Sequence, residues 1–194
     1  MLDLTRRYSF VIVAVAFETS LIAVAGALGW WFQHDPFSTL SFDLQGALWG
    51  VAGTLPMIAL FLAGSRYPLG PLRKIKELLL ELLGPSLAGC RWYDLLLVAA
   101  VAGFSEELLF RGVLQPLLGP IWSNVLFGLA HAVTVSYAVL AGFIGGYLGW
   151  MLSASENLLA PIVAHALYDF LAFLAVAREW RQSAAGSLRD ANSS

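Results

Sequence analysis

An all-α, polytopic membrane helix bundle is the fold class this sequence predicts, with about six transmembrane helices and one interfacial amphipathic helix. Three observations predict it. The 194 residues are 59% hydrophobic and only 12% charged, against roughly 45–50% apolar and 25% charged in a soluble domain. The apolar residues fall in runs of about 20, the length that crosses a bilayer. The cations are segregated to one set of loops, as they are in membrane proteins with a fixed orientation.

The elements follow in order. Residues 9–32 are apolar apart from Glu18, Thr19 and Ser20 and form a first span. The run is too long for the core of a cleaved signal peptide, so the span is expected to be retained. A polar loop with Pro36 leads to a second span over 44–63, in which Pro56 is expected to produce a kink. Residues 64–91 are different in kind. Leu72, Ile75, Leu78, Leu79, Leu82 and Leu83 recur at helical spacing, while Lys74, Lys76, Glu77 and Glu81 fill the remainder. That pattern suits an amphipathic helix lying in the interface, and equally a surface helix packed on protein.

A third span is predicted over 92–118, broken by Gly119-Pro120. A short fourth follows over 121–132. The fifth, 137–152, is rich in glycine (Gly142, Gly145, Gly146, Gly149), which lets helices approach closely in lipid. After a turn at 153–157 comes a sixth span over 158–177, and then a polar tail expected to be disordered.

Orientation follows from charge. With the N-terminus in the cytoplasm, Arg6, Arg7, Arg66, Arg73, Lys74, Lys76, Arg91, Arg178, Arg181 and Arg189 all fall inside, leaving one of the 11 Lys and Arg elsewhere. The loops 33–43 and 153–157 carry acids and neither Lys nor Arg, and fall outside. Both termini are therefore expected in the cytoplasm. Short loops and small size suggest the plasma membrane. The net charge of −2 gives no reason to expect nucleic acid as a partner. A single cysteine, Cys90, rules out an internal disulfide and any C-x-x-C site.

The eleventh cation, Arg111, lies within a span, together with Glu106, Glu107, His131, His165 and Asp169. An ionisable residue at that depth costs at least about 2.5–3.5 kcal/mol on insertion scales. Each needs a partner or a task. Glu107 and Arg111 are four apart, acid first, the favourable orientation for a helical pair. Glu106 points about 100° away and is the free carboxylate. It lies 13 residues before Gly119-Pro120, and His131 lies 11 after it, so a reversal there puts the two at similar depth. A carboxylate beside an imidazole can polarise a water for attack. Phe127 and His131 share a face, as do His165 and Asp169. A lone intramembrane histidine usually serves helix packing, and Glu107–Arg111 alone would be a structural pair. The whole set on successive helices points to chemistry.

The segments Glu106-Glu107-x-x-x-Arg111, Phe127-x-x-x-His131 and His165-x-x-x-Asp169 resemble the three motifs of the CAAX protease and bacteriocin-processing (Abi) family of intramembrane endopeptidases, over about residues 93–175. The resemblance implies a catalytic helical core at 93–177, preceded by two spans and the amphipathic helix at 1–92 and followed by a polar cytoplasmic tail at 178–194. It implies that Glu106 and His131 activate the attacking water, that His165 and Asp169 face the scissile carbonyl and stabilise the oxyanion, and that Glu107, Arg111 and Phe127 support them. The expected substrate is a membrane-associated peptide or protein, a prenylated CAAX tail being one case.

One departure matters. The family's third motif often ends in Asn, whose amide donates to an oxyanion, whereas Asp169 donates only when protonated. Asp169 can instead orient His165, or join His131 and His165 in holding a divalent metal such as zinc. The resemblance favours glutamate-activated water with no cofactor, and metal dependence stays open. The other function classes are a non-catalytic immunity or partner-binding protein on the same fold, and an ion transporter, although no inverted repeat of the transporter kind is evident.

Overall fold

The computed structural model describes residues 4–67 and 70–193, with backbone alone at 4 and 187–193. Every regular element among them is helical. The order is α1 (Leu4–Trp31), α2 (Leu44–Arg66), α3 (Pro71–Gly89), α4 (Trp92–Leu109), a π-helical turn (Phe110–Leu114), α5 (Gln115–Ala130), α6 (Val135–Ser155) and α7 (Leu159–Ser193). Four stretches are long and apolar enough to cross a membrane: Thr5–Trp31, Leu44–Arg66, Val135–Ser155 and Leu159–Gly186. The chain is an integral membrane protein. The α4–π–α5 stretch, expected to supply two further spans, lies outside these four: α4 carries Asp94, Glu106 and Glu107, and α5 is 16 residues long.

Lipid-facing surface is most evident on α1, where Ile12, Val13 and Phe17 are each more than 60% exposed. The side of α1 turned to α4 carries the polar groups. Arg7 holds Asp94 through Nε at 2.6 Å and Nη2 at 2.8 Å. Asp94 in turn accepts from the Arg91 backbone N–H at 2.7 Å and so caps the start of α4.

α2 lies along α7, and it is small residues that let it. A Cβ at Gly50 would meet the Ala160 carbonyl oxygen at 2.8 Å, and one at Gly46 would meet Asn157 Nδ2 at 2.5 Å. The helix continues unbroken through Pro56. Glycines do the same for α5 and α6, as their sequence predicts: a Cβ at Gly128 would stand 2.7 Å from the Ala138 carbonyl oxygen.

α3 keeps its charged face outward, with the exposed pair Arg73–Glu77 at 3.3 Å. Its apolar face is used on protein: Ile75, Leu87 and Ala88 are buried. Leu82, also on the expected apolar face, is 54% exposed. The segment after Arg178, expected to be a disordered tail, instead extends α7 as one helix to Ser193. Its composition suits a helix, and α3 gives it something to pack on. Trp180 lies over Gly84, Lys76 pairs with Glu179 at 2.8 Å, and Arg181 donates to the carbonyl oxygens of Ala88 and Cys90. Cys90 is buried there, and burial pushes its thiol up, away from a reactive thiolate.

The loops expected on the outer side do lie together. Asn157 donates to the Ser41 carbonyl at 2.9 Å and to Asp43 at 3.0 Å, and the Ser41 N–H donates to Asn157 at 3.1 Å. Asp43 also caps α2 through the Gly46 N–H at 2.6 Å, and these donors hold its carboxyl below the usual range.

Candidate active site

The site is assembled by α4, the π-helical turn, α5 and α7. Its centre is Glu107, which is fully buried. One oxygen, Oε1, takes the Arg111 guanidinium at 3.0 Å and His165 Nδ1 at 2.8 Å. The first contact is the helical pair the sequence predicts. The second is not visible in the sequence, because it joins residues 58 apart. It exists because α4 and α7 touch backbone to backbone one turn earlier: a Cβ at Gly103 would lie 2.7 Å from the Ala166 nitrogen.

Arg111 is fully buried as well. It also donates from Nη2 to the Gly145 carbonyl at 2.6 Å, and it lies over the Phe127 ring, 4.4 Å from its centroid, while its Nε has no hydrogen-bond partner among the described residues. Arg111 belongs to the π-helical turn, a feature no sequence pattern announces. π-turns recur at functional sites, and this one is pinned from outside the helix. Ser123 Oγ donates to the Phe110 carbonyl at 2.8 Å, and His34 Nε2 lies 2.9 Å from the Gly112 carbonyl oxygen.

The chain reverses at Gly119, whose φ of 82° is open to glycine and strained for other residues. The reversal does what the spacing predicts. His131 Nε2 comes to 3.6 Å from Glu106 Oε2. That is long for a hydrogen bond, and Glu106 Oε2 has no hydrogen-bond partner among the described residues. The His131 ring is fixed on two sides. Its Nδ1 lies 2.8 Å from the Phe127 carbonyl oxygen, and Phe127 stacks on it with centroids 4.5 Å apart and planes at 27°. Phe127 also meets Phe110 and His165 edge-on, at 4.9 and 6.1 Å. It is the partition that holds both histidines.

His165 Nε2 lies 3.5 Å from Asp169 Oδ2. With Glu107 on its other nitrogen, the His165 ring stands between two carboxylates, and it donates to both only as the imidazolium. His131, His165 and Asp169 open onto a cavity of about 270 Å³ walled mainly by apolar side chains of α2, α3, α6 and α7. Glu106 stands one contact behind it, against His131. Among the described residues no group of three His, Cys, Asp or Glu side chains is placed to hold a metal ion.

The structure thus brings together all seven predicted residues: Glu106 with His131, Glu107 with Arg111 and His165, His165 with Asp169, and Phe127 among them. Glu18, the acid within the first apolar run, also belongs to the surroundings of the site. Ser105 Oγ donates to Glu18 Oε2 at 2.8 Å. Ser105 is fully buried and adjoins Glu106, so α1 reaches the back of the site. The high cost of a carboxylate in lipid was the only signal for Glu18.

A helical membrane bundle with its ionisable residues gathered at depth around one cavity is a class of protein built for chemistry or transport within the bilayer. The particular family follows from comparison. Residues 88–171 match the family model described as Type II CAAX prenyl endopeptidase Rce1-like. This segment, which carries all three motifs, is similar to that family, a family of peptidases. No curated protein and no solved structure matches the chain.

Proposed function

We propose that the protein is an intramembrane endopeptidase that hydrolyses a peptide bond in a membrane-associated substrate, such as a prenylated CAAX tail, with a water activated by Glu106 and His131. The observation that carries this reading is the Glu106–His131 pair. At 3.6 Å the two atoms are too far apart to satisfy one another and close enough to share a third polar group. A water held by both would lose a proton to Glu106 as it attacks the carbonyl, and the same carboxyl would return that proton to the leaving amine. Glu107 and Arg111 hold the geometry, each fixed by the other. His165 lies beside the cavity, with Asp169 as its second carboxylate. The apolar walls exclude bulk water, which strengthens every charge interaction inside.

No metal is needed for this mechanism. His165 is engaged by Glu107 through Nδ1 at 2.8 Å, and its Nε2 lies 3.5 Å from Asp169. The α4–π–α5 stretch would complete about six crossings if it passes through the bilayer with the four apolar helices. Both termini would then be cytoplasmic, with the stitched loops 33–43 and 153–157 outside, in keeping with the cation-rich end formed by Arg7, Lys76 and Arg181.

The test is cleavage of a peptide panel, including farnesylated CAAX peptides, by detergent-purified protein with and without a chelator. Cleavage that Glu106→Gln abolishes and the chelator leaves intact is the expected result. Cleavage undiminished in Glu106→Gln would remove the mechanism. Loss of cleavage on chelation would restore the zinc reading of His131, His165 and Asp169.

A further inference from the structure

The wall of the site on α7 is rich in acceptors and poor in donors. Hydrolysis of a peptide bond places negative charge on the carbonyl oxygen, and that charge needs hydrogen-bond donors aimed at it. Asp169 is a carboxylate where an amide would have donated. His165 has one nitrogen at 2.8 Å from Glu107 and the other turned to Asp169 at 3.5 Å. His131 has its Nδ1 on the Phe127 carbonyl and its Nε2 toward Glu106. An oxyanion formed in this cavity therefore meets the Asp169 carboxylate, and the motif nitrogen nearest it, His165 Nε2, is turned toward that carboxylate.

The missing donor stands on α6. Tyr137 lines the same cavity as His131, His165 and Asp169. Its ring meets the His131 ring edge-on, with centroids 6.2 Å apart. Tyr137 is half-buried, and its hydroxyl makes no hydrogen bond among the described residues. Tyr137 thus stands on the α6 side of the cavity, against the histidine of the water-activating pair and across the lining from His165 and Asp169 on α7. Tyr168 lines the cavity too, but its ring packs edge-on against Phe61 at 6.3 Å.

We propose that Tyr137 is a further catalytic residue, whose phenol O–H donates to the oxyanion and supplies the donor that Asp169 cannot. The inference rests on the peptidase reading above. The phenol keeps its proton throughout: it donates a hydrogen bond as the water oxygen bonds to the carbonyl carbon, and it relaxes when the C–N bond breaks and the amine leaves with the proton from Glu106.

The experiment compares kcat and KM of wild type, Tyr137→Phe, Asp169→Asn and the double variant on a farnesylated CAAX peptide. Glu106→Gln serves as the inactive reference, and melting in detergent confirms that each variant is folded. Tyr137→Phe keeps the ring and removes only the donor. It should lower kcat by about 10²-fold or more and leave KM within about twofold, the signature of an interaction made in the transition state. Adding Asp169→Asn to it should restore kcat by about tenfold, because an amide donor returns to the same wall. An unchanged kcat, a loss confined to KM, or a kcat loss that Asp169→Asn leaves untouched would each overturn the assignment and leave the peptidase standing. Wild type that cleaves no peptide in the panel, or cleaves as well with Glu106→Gln, would instead remove the reading on which the assignment rests.

Discussion

The two halves of this molecule solve the same problem, a charge inside a membrane, in opposite ways. In the C-terminal half, Glu107 and Arg111 are sealed from solvent and each is held by several groups from different elements. In the N-terminal half, α1 is tied to α4 at two places, by a small cluster of Arg7, Asp94, Tyr93 and Arg91 at one end and by a single hydrogen bond further along. Arg7 meets Asp94 near one end of α1, and Glu18 meets Ser105 further along. A network fixes geometry as well as energy, whereas a tie does little more than hold two helices in register. The difference separates the part of the chain built for chemistry from the part built to support it, and it can be broken by experiment.

The largest effect should come from Glu106. Glu106→Gln should lower kcat by about 10²–10⁴-fold, the range for loss of a general base, with the melting temperature in detergent close to wild type. Stability should be spared because the side chain takes no part in the Glu107–Arg111–His165 network. A variant that melts far below wild type would mean that Glu106 is part of the support, and the division between chemistry and scaffold would fail within α4 itself.

Arg111→Met should act the other way, on stability first. Removing the guanidinium leaves a buried Glu107 with His165 as its sole charged partner, and breaking a buried pair costs about 3–5 kcal/mol. Thermal or denaturant unfolding in detergent would show it. If Arg111→Met melted like wild type, the cluster would be far more forgiving than its burial implies.

These two outcomes bear on how much of the molecule its sequence discloses. The pairing of Glu107 with Arg111, and the approach of Glu106 to His131, follow from local spacing and from one break at Gly119-Pro120, so they are legible in a single chain. The Glu107–His165 contact is not, because it depends on how closely α4 and α7 approach, and Gly103 signals that only once its neighbour is known. The π-helical turn is silent for a similar reason: it is held by Ser123 and His34 from outside. The helix after Arg178 was misread as a tail because its own pattern is polar, and its stabilising surface, around Gly84 on α3, lies elsewhere. Composition gave the membrane class directly, but not the number of crossings. The residues that make α4 and the π-turn functional also depress their hydropathy.

A smaller effect should come from the groove on α2. Gly50→Val places a side chain against Val163 and the Ala160 carbonyl oxygen. Overpacking of this kind costs about 1–3 kcal/mol, and the backbone oxygen cannot move aside. Because α2 and α7 both wall the cavity, KM should rise as well. A rise in KM without loss of stability would show that the groove shapes the cavity more than it holds the bundle.

The smallest effect on stability should be that of Glu18→Ala, and it is the sharpest probe of the comparison. The Ser105 hydroxyl has a second acceptor in the Ala102 carbonyl, at 3.2 Å, so losing Glu18 need not orphan it. Hydrogen bonds between membrane helices average about 0.6 kcal/mol, and removing a carboxylate from a lipid-facing helix offsets part of that. The melting temperature should therefore change little, and kcat should fall less than about tenfold, since Glu18 reaches Glu106 only through the neighbouring Ser105. A fall in kcat as deep as that of Glu106→Gln, with stability unchanged, would break the division between the halves. It would mean that the field of a carboxylate on α1 is part of the site, and that the segment beyond the family match contributes to the reaction as well as to the bundle.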